Sequence, residues 1–178
     1  MLELGTVIAG PFAGSLLAEL GCEVIKIEPP GQGDPLRTMG CIKDGVALWF
    51  GVSGRAKRCL ALDLKDPAGK ARFRKFIESA DVIVENYRPG VLDRLGFGWP
   101  QIHALNPRLV MLSISGFGQT GPQSARPGFG KIAEGMSGVV SLTGDPAAAP
   151  LFVGFSLADA CTGLFGAFAV QVALYHRD

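Results

Sequence analysis

Apolar and polar positions along the first half of the chain alternate between short and long periods. Met1 to Leu4 (MLEL) reads as a strand, and the apolar stretch Phe12 to Leu20 predicts a short helix closed by Gly21. Glu23 to Glu28 (EVIKIE) predicts a second strand, followed by the turn-rich Pro29 to Pro35. Cys59 to Leu64 (CLALDL) alternates as a third strand. Asp66-Pro67 then supplies a cap and a proline at the first helical position. That helix is expected to reach Ser79, with Phe73, Phe76 and Ile77 on one face and Lys70, Arg74 and Lys75 outside. Asp81 to Asn86 and Arg108 to Ser115 complete the strands. This rhythm implies an α/β fold with a Rossmann-like parallel sheet flanked by helices. Ligands of such open sheets sit beyond the carboxyl ends of the strands, where the loops Gly10 to Gly14, Pro29 to Pro35 and Gly116 to Pro122 fall.

The last element is different in kind. Asp159 precedes ACTGLFGAFAVQVALYHR, which is apolar almost all round and predicts a buried helix. Its most apolar run, Leu164 to Leu174, is too short for a membrane span. Asp159 is a candidate N-cap, with Thr162 three residues on. The positive end of the helix would there favour the ionised, nucleophilic carboxylate.

Composition narrows the classes. The chain has 178 residues, 48% hydrophobic and 19% charged, with a formal net charge of +1, which fits one domain or one large piece of a domain. A near-neutral balance argues against nucleic-acid binding through a basic surface. The four cysteines, Cys22, Cys41, Cys59 and Cys161, form no C-x-x-C pair, and only two histidines, His103 and His176, could join them. Neither a zinc nor a disulfide framework is expected, and a reducing cytoplasmic setting is. No basic leader ahead of an apolar run opens the chain. Met1 to Leu4 reads as the middle of a strand and His176 to Asp178 trails off a helix, so a partial chain is expected. The loop Gly10-Pro11-Phe12-Ala13-Gly14 matches neither G-x-G-x-x-G nor a P-loop, so Glu28 is not read as a ribose-binding acid. Cys161 reads as a small buried helix residue, His103 as a surface residue, and Trp49 and Phe50 as packing groups.

Several segments read together carry more. Ile8 to Arg37 (IAGPFAGSLLAELGCEVIKIEPPGQGDPLR), Leu60 to Lys70 (LALDLKDPAGK), Val82 to Trp99 (VIVENYRPGVLDRLGFGW), Asn106 to Pro122 (NPRLVMLSISGFGQTGP) and Leu157 to Gly163 (LADACTG) follow in order. As a set they resemble the class III coenzyme A (CoA) transferases of the CaiB/BaiF, formyl-CoA transferase-like type. The resemblance implies that residues 1–178 are the N-terminal part of the large domain, with a small domain and a returning C-terminal segment absent. It also implies an interlocked homodimer for the full-length protein, with acyl-CoA and a small carboxylic acid as partners and neither nucleic acid nor membrane.

The activity implied is transfer of CoA between an acyl-CoA thioester and a carboxylic acid, with CoA as substrate, no tightly bound cofactor and no metal. The family's catalytic carboxylate falls on Asp159. It would attack the thioester to give an aspartyl-acyl anhydride, and the released thiolate would return to give an aspartyl-CoA thioester. By the same resemblance CoA is held by Ile8, Pro29, Leu62-Asp63-Leu64-Lys65, Asn86-Tyr87-Arg88, Arg94 and Arg126-Pro127-Gly128-Phe129. Lys65, Arg88, Arg94 and Arg126 offer charge to its phosphates, and Tyr87 a ring or hydroxyl.

Two departures from the family pattern stand out. Its Asn-Arg-x-Lys-Arg run appears as Ser53-Gly54-Arg55-Ala56-Lys57-Arg58, and an aspartate common after the arginine loop is Gly130. The second departure bears on a rival reading, a 2-methylacyl-CoA racemase of the same fold. Such racemases place a histidine-aspartate pair where this chain has Phe129-Gly130, which supply no base for the α-proton. A further rival is an inactive CoA-binding or dimerisation fragment.

Overall fold

The computed structural model describes residues 1–178. In chain order the elements are β1 (Leu2–Glu3), α1 (Ala9–Glu19), β2 (Val24–Glu28), the hairpin β3 (Ile42–Lys43) and β4 (Val46–Ala47), α2 (Leu48–Ser53) and β5 (Lys57–Ala61). There follow α3 (Pro67–Ser79), β6 (Val82–Glu85), α4 (Val91–Leu95), α5 (Trp99–Leu105), β7 (Val110–Ser113), α6 (Gly130–Ser137) and α7 (Leu157–Arg177). Five strands form one sheet in the order β5-β2-β1-β6-β7, every neighbouring pair parallel. The order reverses direction at β1, so the gap between the ends of β1 and β6 is the topological switch point.

Period-two alternation distributes the side chains between two layers. Leu2, Leu4, Ile27 and Ile83 face one side and pack with Phe73 and Ile77 of α3, Leu92 of α4, Ile102 of α5 and Phe97. Val82 and Val84 face the other, against Ala13 and Leu17 of α1 and Ala167 and Val170 of α7. The α3 boundaries follow the sequence reading: the Asp66 carboxylate accepts from the Gly69 N–H at 2.9 Å, and Pro67 occupies the first turn. The third strand does not. It runs from Lys57 to Ala61, pairing Val24 with Lys57 and Glu28 with Ala61, instead of Cys59 to Leu64. Leu62 and Leu64 still reach the core, but from the loop that follows the strand.

One register feature explains the shift. Glu3, Lys26 and Lys57 stand on the α1 side of three adjacent strands, buried beneath the helix. The Lys26 ammonium donates to Glu3 Oε1 at 2.9 Å and to the Gly5 carbonyl at 2.8 Å, and pairs with Asp34 Oδ2 at 2.7 Å. Lys57 pairs with Glu3 Oε2 at 2.8 Å and donates to the Pro11 carbonyl at 2.7 Å. Two carboxylates and two ammoniums thus neutralise one another out of water, the condition under which buried charge is tolerated. An added Cβ at Gly14 would overlap Glu3 Oε2, which is why α1 presents a glycine there.

The last helix corrects two expectations. It is not buried all round: its small residues Gly163, Gly166 and Ala167 and the following Val170 face the body, while Phe165 is 71% and Phe168 67% exposed. Gly163 and Gly166 allow this close crossing, because a Cβ at either would meet Ala9 O or Leu112 Cδ2 at 2.8 Å. Cys161 is exposed, not buried. The helix has 21 residues, so by length and composition it also suffices to cross a membrane, which the shorter run counted from the sequence did not.

Candidate active site

The chain leaving β1 is held in an unusual conformation. Asn86, just past β6, accepts from the Thr6 N–H with Oδ1 and donates to the Thr6 carbonyl with Nδ2, each at 2.8 Å. Val7 adopts φ +64°, a left-handed conformation that strains a β-branched residue. Its N–H donates to Asp34 Oδ1 at 3.1 Å, and Asp34 is anchored to Lys26. The switch-point loop is therefore pinned from both sides. Glu28 serves the same scaffold. It takes two hydrogen bonds from Arg37, at 2.9 and 2.6 Å, and one from the Asp34 N–H at 2.9 Å. Burial resists the Glu28 charge, but Arg37 and the Asp34 N–H hold the carboxyl below its ordinary range.

Beside this loop lies a cleft of about 190 Å³, lined by Val7, Ile8, Asn86, Gly128, Phe129 and Asp159 among others. Asp159 arrives there from α7, but not as its cap. Ser156 is the N-cap and Asp159 the third helical residue, with α6 packed across it. An added Cβ at Gly130 would overlap Asp159 Oδ2, so the departure at Gly130 leaves room for this carboxylate. Asp159 forms no ion pair with any lysine or arginine of the chain. Burial pushes its carboxyl up from the ordinary 3.8, the Glu134 charge adds to the rise, and Lys131 opposes it. This reverses the expected direction. The helix end does not decide the matter, because α6 removes water and places a second carboxylate nearby.

The other residues singled out in the sequence distribute unevenly. Ile8, Asn86, Gly128 and Phe129 line the Asp159 cleft. Arg88 lines a separate cavity of about 550 Å³ at the ends of β6 and β7, with Glu85, Asp93, Trp99 and Ser113. Burial pushes the Glu85 carboxyl up. Leu62 and Leu64 are core residues, leaving their backbone and the exposed Asp63 and Lys65 to solvent; Asp63 Oδ1 accepts from the Lys65 N–H at 2.8 Å. Tyr87 packs against the core, and Pro29, Arg94, Arg126 and Pro127 are exposed. None of Lys65, Arg88, Arg94 and Arg126 pairs with a carboxylate. Arg126 lies over the Phe117 ring, 5.5 Å from its centroid. Glu134, Lys131 and the strained Val7 were not singled out, since only the tertiary packing of α6 and of the Asp34 loop makes them part of the site.

The chain is thus an α/β protein with an open parallel sheet, a cleft at its switch point, where such sheets bind their ligands, and a carboxylate without an ion pair in that cleft. The family model for CoA-transferase family III matches residues 1–178, and the chain belongs to that family. It is 46% identical over 179 residues to the succinyl-CoA–D-citramalate CoA-transferase of Chloroflexus aurantiacus, covering 100% of this chain and 44% of that protein. It is 44% identical to the acetyl-CoA:oxalate CoA-transferase of Acetobacter aceti, covering 100% of this chain and 46% of that one. The crystal structure of a CaiB/BaiF family protein from Brucella suis superposes with a TM-score of 0.94 at 39% identity, over 99% of this chain and 48% of that one. The chain thus spans about half the length of the relatives it matches.

Proposed function

We propose that Asp159 is the acyl- and CoA-carrying nucleophile of a CoA transferase that moves CoA between an acyl-CoA and a small carboxylic acid. The observation that carries this reading is the Asp159 carboxylate itself: half-buried, facing a cleft at the switch point, and paired with no cation of the chain. A carboxylate held in an ion pair would be a poorer nucleophile; this one is in none, and burial makes it more basic.

In the first step Asp159 attacks the thioester carbonyl. The C–S bond breaks, the thiolate leaves with the electron pair, and a neutral aspartyl anhydride remains. The thiolate then attacks the aspartyl carbonyl and the donor carboxylate departs, leaving the aspartyl-CoA thioester. An acceptor carboxylate repeats both exchanges in reverse. No proton is taken from carbon, and none of the groups lining the cleft is required as a base. Phe129, exposed, and Gly130 supply none, which argues against α-proton exchange.

For CoA, we assign the phosphates to Lys65, Arg88, Arg94 and Arg126, cations without carboxylate partners at the loop ends of the sheet, and the pantetheine path to Ile8 and the Asn86 loop. The size of the cleft, about 190 Å³, suits a small acid. The relatives are named for citramalate and oxalate, both short polar acids. We assign the activity to a polypeptide that carries these residues within a chain of its relatives' length, of which residues 1–178 span about half, and expect residues 1–178 alone to be inactive.

The test is an isotope-label assay. Labelled CoA should pass from acyl-CoA to a short acid, and Asp159→Asn should lower that rate by at least about 10³-fold. Without an acid acceptor, no α-deuterium should enter a 2-methylacyl-CoA. Rapid deuterium uptake, or full activity of Asp159→Asn, would overturn the reading.

A further inference from the structure

We propose that Glu134, through its buried carboxylate, is a positioning residue that drives Asp159 toward its neutral covalent states. The inference rests on Asp159 being the carrier. Glu134 lies on α6 one helical turn beyond Gly130, the residue packed against Asp159 Oδ2, so the two carboxylates share the α6–α7 interface.

Three features set Glu134 apart from a surface acid. It is only 2% exposed. Its Oε2 takes a 2.8 Å bond from Lys131, while Oε1 is buried with no hydrogen-bond partner. Lys131 is itself largely at the surface, where its ammonium also donates to the Val153 and Phe155 carbonyls at 3.1 and 3.2 Å. The counter-charge is thus displaced toward water, while Oε1 of the acid stays buried without a partner. Leaving an acceptor in this condition is costly, and an apolar or amide side chain would fill the place with less penalty.

The consequence is electrostatic. When Asp159 is ionised, two negative charges share one half-dry helix interface, with Lys131 to offset them. When Asp159 carries an acyl group or CoA it is neutral, and its charge has left with the thiolate or the donor acid. The repulsion disappears at that moment. Glu134 therefore raises the free carboxylate in energy and leaves the anhydride and the thioester untouched. That shifts the covalent equilibrium forward and makes the attacking oxygen more basic. Glu134 need not touch substrate, and it does not line the cleft.

Glu134→Gln keeps an oxygen for Lys131 and removes the charge. In residues 1–178 labelled with ¹³C at aspartate Cγ, the Asp159 midpoint should lie above 3.8 in the wild type and fall by about one pH unit in the variant. Glu134→Leu, which removes the charge and the unpaired oxygen together, should lower it likewise, and this second variant decides the matter if Glu134→Gln does not fold. In the full-length polypeptide mixed with acyl-CoA, the share carrying covalent CoA by intact mass should fall about tenfold in Glu134→Gln, because one pH unit is a factor of ten. An adduct in the wild type with an unchanged share and midpoint in the variant would overturn the role of Glu134 alone. No adduct in the wild type, with turnover proceeding, would overturn Asp159 as carrier and this inference with it.

Discussion

At the residue scale the chain carries two kinds of buried charge, and they behave differently. In the network of Glu3, Lys26, Asp34 and Lys57 every charge has a partner within 2.9 Å. Burial opposes the Lys26 charge, yet Glu3 and Asp34 outweigh it and hold the amine above its usual range. Lys57→Met would leave Glu3 Oε2 with no partner under α1, and we expect a loss of about 3–5 kcal/mol in urea unfolding. Asp159 is the opposite case. Its folded carboxyl sits above the unfolded 3.8, so its contribution to stability is present below that pH and is lost as pH rises through the folded value. Asp159→Asn should therefore melt higher than the wild type at pH 7, with the gain shrinking toward pH 4. Equal melting temperatures at pH 7 would show that ionised Asp159 bears no such burden. Asp159 is singled out in the sequence by its block, LADACTG, and lines the switch-point cleft. Its charge state is not legible there, since that depends on Glu134 and Lys131, which reach it only through the packing of α6 on α7.

At the element scale, local signals succeeded where they were self-contained. Asp66 and Pro67 specify the start of α3 from within four residues, and its Asp66–Gly69 bond closes that turn. The start of α1 was placed late, at Phe12, because Gly10 and Pro11 read as a loop; both lie in the helix, whose first residue is Ala9. The strand β5 was placed late because Lys57 and Arg58 look like surface residues, whereas Lys57 is required on the inner face by Glu3. For α7 the composition was uninformative in a specific way: an all-apolar helix gives no moment to say which face is buried. The small residues hold that answer. Gly163→Val should push α7 off Ala9 and Phe12 and cost about 1–3 kcal/mol, read by urea unfolding. A cost near zero would mean that the crossing is not close-packed. Because Ile8 caps α1 at this contact, the same variant should also disturb the Asp159 cleft.

At the scale of the whole molecule, the parallel sheet and the loops at its strand ends are legible from the strand–helix rhythm, while the strand order and the balance of the surface are not. Phe165, Phe168 and Tyr175 of α7 stand in solvent together with Leu142 and Phe129. On α7 the three stand at helical spacing, and an exposed apolar stripe of this kind drives association. Residues 1–178 should therefore self-associate as concentration rises, and Phe165→Ser with Phe168→Ser should weaken this in sedimentation velocity. A wild-type chain monomeric at every concentration would contradict that expectation.

The central claim is that Asp159 carries the acyl group and CoA in turn. It is tested most directly by trapping the carrier. The CoA-transferring polypeptide that contains these residues is mixed with an acyl-CoA, quenched with hydroxylamine, digested and read by mass spectrometry across α7. Asp159 should be recovered as its hydroxamate, and no other carboxylate should be. Continued CoA transfer with Asp159 unmodified, or a hydroxamate on a different residue, would contradict it.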